Sequence, residues 1–288
     1  MDRFVALLIP CTLFTIMFSL SLGLPPDSLE QLWRRRALLW RVLLGSCLLV
    51  PLMAMVVLKL PAGELMSKPT RFAIALMALS PSAPLTLRKA GKAGGHSSLA
   101  AGLQVSAAIA AIISIPVMAM LFTHASGVDG WDIQPYHVAQ QIGVSQVLPL
   151  GIGLLVRQYL PGWSEARAGF FSKLANVLLL VLVVVVLVKL TPFLLSFARH
   201  ELFSIVVMAA LVLASMAMGY ALAGGNPKEQ TTAALVISMR NPGLALLFAE
   251  LYGPSMTGLK LGILAYLLVT VLVQIPFTIW SQKKLSTL

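Results

Sequence analysis

The sequence contains few charged residues, and this scarcity excludes most soluble folds. Only 11% of its 288 residues are Asp, Glu, Lys or Arg, whereas 58% are hydrophobic. A soluble globular domain has about 25% charged and about 45–50% apolar residues, so this chain cannot cover a water-facing surface. Because each membrane crossing needs about 20 apolar residues, the composition predicts an all-α polytopic membrane protein without a large soluble catalytic domain.

Cysteine and catalytic motifs are also scarce. Cys11 and Cys47 are too few for a disulfide framework or a cysteine-based zinc site, and no pair of histidines has metal-ligand spacing. The apolar segments contain no carboxylate pair, no Ser-His-Asp set and no glycine-rich nucleotide loop. We therefore expect no enzymatic activity, no cofactor and no metal.

Nine apolar segments separate at proline, glycine and charge clusters. The chain, 1–288, is interpreted as one transmembrane domain with a first repeat at about 1–124 and a second at about 138–288. The first segment is too long for a signal peptide and is expected to remain in the mature protein. The nine segments lie at about 4–24, 37–60, 72–88, 97–123, 138–160, 172–190, 203–224, 231–252 and 258–281.

The basic residues lie almost entirely at segment ends. When the sides of the nine segments alternate, 13 Lys and Arg residues fall on one side and 7 on the other, and Arg240 lies inside a segment. The positive-inside rule then predicts an integral protein of the plasma (inner) membrane with its N-terminus outside and its C-terminus in the cytoplasm. Lipid headgroups, rather than nucleic acid, account for the net charge of +11.

Two segments are interrupted near the middle of the membrane. The third has nine residues, 72–80, before Pro81, and the eighth has nine, 231–239, before Arg-Asn-Pro-Gly at 240–243. Nine helical residues reach about 13 Å, which is near the centre of a hydrocarbon core about 30 Å thick. In each break a capping residue, Ser or Asn, precedes a proline, so each break is expected to start a new half-helix inside the bilayer.

The two interrupted segments run in opposite directions by the alternation of sides. Such a pair indicates an inverted-repeat transporter with its site near the midplane. Prolines that only kink a membrane helix are the alternative, and this interpretation suits Pro51, Pro149 and Pro276, each of which stands alone in a long apolar segment. The sequence therefore predicts a secondary active transporter that works by alternating access.

The sequence resembles the bile acid:sodium symporter family in three motifs: IMFSLSLGLPPDSLEQLWRRRALLWRVLLGSCLLVPL at 16–52, the Ser-Pro break at 80–81, and MRNPGLA at 239–245. The resemblance implies ten helices in two inverted repeats of five, with the fourth and ninth broken where they cross. With nine segments, this chain is expected to lack the family's first helix. The resemblance also implies a core of segments two, three, four, seven, eight and nine, and a panel of segments one, five and six.

The chain departs from the family where sodium would bind. In the second broken helix, Val236 replaces a glutamate, Arg240 a glutamine and Pro242 a serine of the sodium-coupled members. The loss of a carboxylate and the gain of a guanidinium both disfavour a cation, so we expect no sodium at the family's sites. The other positions at which the family's ligands are replaced are Ser46, Thr86, Leu87, Ala100 and Gln104.

Arg240 has three possible roles. It can clamp a substrate anion beside the two half-helix N-termini, it can occupy the vacated sodium site as a fixed cation bonded to unwound carbonyls, or it can snorkel along its helix. For the other polar candidates, an interhelical hydrogen bond is the alternative to substrate binding. The predicted substrate-binding residues are Arg240, Asn241, Ser80, Ser82, Thr86 and Gln104.

The expected substrate is a small organic anion, bound where the two broken helices cross. The expected partners are this anion and the lipid bilayer, whereas protein partners stay open. A solute-binding membrane sensor on the same fold is the alternative function, and a channel is a third, because paired half-helices can also line pores.

Overall fold

A computed structural model of the chain describes residues 2–24, 28–81, 86–125 and 135–287, and every regular element within them is helical. The two π-helical turns are labelled π1 and π2. In chain order the elements are α1 (Asp2–Leu22), α2 (Ser28–Arg34), α3 (Arg36–Leu44), π1 (Gly45–Leu49), α4 (Val50–Lys59), α5 (Pro61–Glu64), α6 (Lys68–Leu79), α7 (Thr86–Lys92), α8 (Ser97–Ala125), α9 (Pro135–Ile142), π2 (Gly143–Val147), α10 (Leu148–Tyr159), α11 (Pro161–His200), α12 (Leu202–Leu222), α13 (Pro227–Ser238), α14 (Pro242–Tyr252) and α15 (Leu259–Ser286).

Seven helical stretches of the described residues are long and apolar enough to cross a membrane. A shorter apolar helix covers Leu7–Leu22, and α6 ends after 12 residues at the first break. An all-helical polytopic membrane protein is thereby confirmed, whereas nine crossings and the inverted repeat stay predictions. The seven stretches are Arg36–Lys59, Ser97–Thr123, Tyr136–Tyr159, Pro161–Val185, Leu202–Leu222, Pro227–Tyr252 and Leu259–Ser286.

The π1 turn frees a backbone carbonyl inside the bundle. The Val50 N–H donates to the Gly45 carbonyl, and Pro51 has no N–H to donate. The Ser46 carbonyl therefore loses the backbone donor of either an α-helix or a π-helix. In π2 the Leu148 N–H likewise donates to the Gly143 carbonyl, and the next residue, Pro149, has no N–H. Pro51 and Pro149 therefore each leave a backbone carbonyl without a helical donor, in addition to any kink.

The interrupted stretch α13–α14 occupies the centre of the bundle. Its apolar stretch is buried throughout, whereas most residues of the apolar stretch of α11 are half-buried or exposed. α12 and α15 pack beside it, α6 packs between α14 and α15, and α1, α10 and α11 pack against one another as a second group. Close approach of α12 and α13 depends on Gly219, because a Cβ there would lie 2.6 Å from the Ala233 carbonyl oxygen.

Candidate functional site

The two breaks contact each other. The Asn241 N–H donates to the Ser80 carbonyl oxygen at 2.8 Å. α13 ends at Ser238, and Asn241 then caps α14 by accepting the Leu244 N–H on its Oδ1 at 3.1 Å. The prediction that Asn241 and Pro242 begin a new helix is therefore confirmed.

The first break differs from its prediction. Ser80 follows the last residue of α6, and its hydroxyl donates back to the Leu76 carbonyl at 2.7 Å. Pro81 is not helical, and α7 begins at Thr86. The expectation of a half-helix starting at Pro81 was therefore wrong, because a serine hydroxyl can also satisfy a carbonyl of its own preceding turn. Ser82 lies outside the described residues.

Arg240 lies inside the bundle, and its side chain is hydrogen-bonded to two elements, π1 and α6. The residue is only 2% exposed. Nε donates to the Met77 carbonyl at 3.3 Å, and Nη1 donates to the Ser46 Oγ at 3.1 Å. Nη2 donates to the Ser46 carbonyl at 2.9 Å and also to the Ala78 carbonyl. The guanidinium thus joins the second break to π1 and to the last turn of α6.

These bonds are all to neutral oxygens. Met77 and Ala78 belong to the carboxyl end of α6, where carbonyls lack helical partners and the helix dipole is negative. Four of the five guanidinium N–H groups are used in this way, which leaves one for any other partner. This geometry matches a fixed cation bonded to unwound carbonyls, and the burial of Arg240 does not fit snorkelling.

Apolar side chains occupy two of the positions at which sodium-coupled relatives are expected to bind sodium. Val236 and Ala100 are buried in one apolar cluster with Ala90 and Leu103. Within the described ranges, no group of three or more His, Cys, Asp or Glu residues could hold a metal ion. An ion would have to displace packed side chains here, because apolar groups offer it no ligands.

A cavity of about 290 Å³ lies among α1, α7, α8 and α11. Arg88 of α7 reaches it from one side, and its Nη2 donates to the Ser172 Oγ of α11 across a long distance of 3.4 Å. Gln104 of α8 and Asn176 of α11 also line it. The cavity therefore combines a guanidinium with neutral polar groups on a facing helix.

A second cavity, of about 380 Å³, adjoins the second break. Arg88 and Asn176 line both cavities, and Arg240 lines the second one. The remaining lining of this second cavity is apolar, namely Leu179, Leu180, Val183, Met239, Pro242, Leu267, Leu268 and Val271. Arg88 therefore stands where a polar cavity and an apolar cavity meet.

The predicted binding residues divide into three sets. Arg240, Asn241 and Ser80 meet where the two breaks join. Gln104 lines the first cavity, and Thr86 is buried at the start of α7. Arg88 was not among the predicted binding residues, because its position at a segment end is also that of a residue that follows the positive-inside rule. The only signal that could have found it is its position eight residues after Ser80.

Comparison with known families identifies the family of this chain. The chain matches the model of the sodium bile acid symporter family over residues 10–197. The chain belongs to this family. Its members are generally transporters, and the matched range includes the first break, α8 and most of α11, whereas the second break lies beyond it. No match was found among curated proteins.

Proposed function

We propose that this family member is a secondary active transporter of a small organic anion that works by alternating access. Membership of a transporter family supports this function, and so does the direct hydrogen bond between the two breaks at Ser80 and Asn241. The proposed architecture has nine crossings in two inverted repeats. In this architecture the N-terminus is outside and the C-terminus is in the cytoplasm of the plasma membrane.

The position of Arg88 is the observation that favours an anionic substrate. Arg88 lines both cavities beside the breaks, and among the described residues its side chain has only a long hydrogen bond, to Ser172. Its guanidinium can therefore bind a carboxylate, with Asn176 of α11 and Gln104 of α8 as neutral partners. Arg240 is the second guanidinium nearby, but most of its donors are used by carbonyls. We assign it the role of the fixed cation at the crossing.

The packing of the helices supports a way for the site to open. α1, α10 and α11 pack against one another, and both cavities lie where α11 faces the broken segments. Relative sliding of these two groups would expose the cavities to one side of the membrane and then to the other. This motion is the rigid-body movement expected of inverted-repeat carriers.

Binding is tested first by a thermal-shift screen of small carboxylates on the purified full chain. A hit, that is, a carboxylate that binds the folded state, raises the unfolding temperature, and the rise grows with the logarithm of the ratio of ligand concentration to Kd. Arg88→Gln should lower the affinity for that carboxylate by roughly tenfold to a hundredfold, because a charge-assisted hydrogen bond contributes about 1.5–3 kcal/mol. Arg199→Gln removes the same charge at the far end of α11 and should leave binding unchanged.

Uptake of the hit into proteoliposomes then tests transport. Saturable counterflow supports a carrier. Binding without flux would instead favour the sensor, and steady single-channel currents would favour a channel. If no small carboxylate shifts the unfolding temperature, the assignment of an anionic substrate fails.

A further inference from the structure

A lipid-facing groove lies between α3 and α8, away from the two cavities described above. Its volume is about 520 Å³. On α8, small side chains at every fourth position form its floor, namely Ser106, Ala110 and Ser114. Ile109, Ile113 and Val117 form one wall, and Trp40 and Leu43 of α3 form the other. The groove is thus a recess in the apolar surface.

The groove has the length of one leaflet. From Ser106 to Val117 the α8 axis rises by about 16 Å, at 1.5 Å per residue. Half of a hydrocarbon core about 30 Å thick is about 15 Å. Along α8 the groove is therefore about as long as an acyl chain in one leaflet.

The polar end of the groove carries an unpaired charge. Arg36, Trp40 and Leu43 are spaced by four and three residues, so they share one face of α3. Trp40 is 62% exposed at this end, a position typical of the interfacial aromatic belt. Arg36 is exposed, and its side chain has no carboxylate or hydrogen-bond partner in the described part of the chain.

Two of the three neighbouring arginines differ in this respect. Arg34 pairs with Glu30, and Arg35 pairs with Glu229. Arg41 is exposed and, like Arg36, has no side-chain partner among the described residues. It lies on another face of α3, however, with its Nη1 beside Gly224 at the end of α12. Arg36 is therefore the charge positioned to meet a headgroup whose tail fills the groove.

We propose that the groove between α3 and α8 binds one anionic phospholipid, with an acyl chain along α8 and the phosphate on Arg36. The guanidinium matches a phosphate in charge and in hydrogen-bond geometry. The Trp40 ring covers the junction of headgroup and chain, since its apolar body faces the groove and its indole N–H can reach the interface. This site does not depend on the proposed substrate.

Lipid titration of the purified full chain in detergent tests the proposal. Native mass spectrometry counts bound lipid, and thermal unfolding measures its effect, with phosphatidylglycerol and phosphatidylcholine as the probes. We expect one phosphatidylglycerol to bind at least about tenfold more tightly than phosphatidylcholine. Equal binding of the two lipids would overturn the proposal.

Matched variants locate the site. Arg36→Gln should remove the preference for phosphatidylglycerol, about a tenfold loss, whereas Arg41→Gln should keep it. Ala110→Phe should fill the groove and weaken both lipids, whereas Val144→Phe, at an exposed position on π2, should weaken neither. Arg36→Lys, which keeps a charge, should retain part of the preference and covers the case in which Arg36→Gln does not fold.

Two outcomes would contradict the assignment. Equal losses for Arg36→Gln and Arg41→Gln would mean that only the general surface charge attracts the lipid. A change of oligomeric mass in Ala110→Phe, without loss of lipid, would mean that a second copy of the chain covers the groove.

Discussion

The guanidinium of Arg240 illustrates how a charge is accommodated away from water. Burial of an unpaired charge is costly, and a membrane interior provides no water to compensate. Here Ser46, Met77 and Ala78 supply oxygens that have lost backbone partners or lie at a helix end. The guanidinium and these oxygens therefore satisfy each other's hydrogen-bonding capacity. Removal of either one alone would leave unpaired polar atoms.

Removal of this side chain should lower stability. We expect Arg240→Ala to cost about 1–3 kcal/mol for each carbonyl left unpaired, and Arg240→Lys to recover part of the loss because an ammonium keeps three donors. Thermal unfolding of the purified protein measures both, with Arg199→Ala as the exposed control. If Arg240→Ala unfolds at the wild-type temperature, the hydrogen bonds of Arg240 do not hold the breaks together.

His96 should make stability depend on pH. Its pKa lies below the ordinary value of 6.5, first because of burial and then because of the charges of Arg35 and Lys228, although Glu229 acts in the opposite direction. The unfolded chain therefore binds this proton at a higher pH than the folded chain does. Stability contributed by neutral His96 is complete above pH 6.5 and falls as the pH drops below that value.

The comparison with His96→Gln isolates this effect. We expect the unfolding temperature of the wild type to fall more between pH 7.5 and about pH 5 than that of the variant. If the unfolding temperatures of the two proteins fall in parallel as the pH drops, groups other than His96 cause the whole pH dependence.

At the scale of elements, close helix packing determines what the core can accommodate. α12 and α13 approach until a Cβ on Gly219 would lie 2.6 Å from the Ala233 carbonyl oxygen and 2.7 Å from the Ala234 Cα. Backbone atoms of a central helix cannot move aside cheaply. The contact is therefore intolerant of even one added methyl group.

Gly219→Ala should destabilise the protein by about 1–3 kcal/mol, the typical cost of overpacking a core. Gly151→Ala is the matched control, since a Cβ at Gly151 would meet nothing within 4 Å. Alanine is the better helix former, so this control should unfold at or above the wild-type temperature. Equal behaviour of the two variants in thermal unfolding would mean that α12 and α13 separate easily.

Among the elements, some helix ends could be predicted from the sequence, whereas other features could not. The ends of α6 and α13 followed from the spacing of prolines and capping residues, because those signals are local. The π1 turn was not predicted, and neither was the use of the Ser46 carbonyl by Arg240. The bond depends on a contact across 194 residues, which periodicity cannot reveal. Arg88 was missed for the same reason, since the cavity it lines exists only when α11 packs against α7 and α8.

For the whole molecule, the replacement of sodium ligands predicts sodium independence. Val236 and Ala100 are packed in an apolar cluster, and Arg240 occupies carbonyls that could otherwise bind a cation. Exchange of sodium for choline at constant ionic strength should leave ligand-induced stabilisation within about a factor of two, since an absent site contributes nothing to linkage. A tenfold change in apparent affinity would show that other residues have rebuilt an ion site.

A cation that is part of the polypeptide also changes the energetics of the transport cycle. Such a charge is never released, so it has no concentration difference across the membrane from which work could be drawn. A monovalent anion would then cross with no mobile counter-ion from this site, and the membrane voltage would act on it with about 2.3 kcal/mol per 100 mV. With an interior-negative potential, that voltage favours exit from the cell, and accumulation inside would need a separate source such as exchange against a second anion.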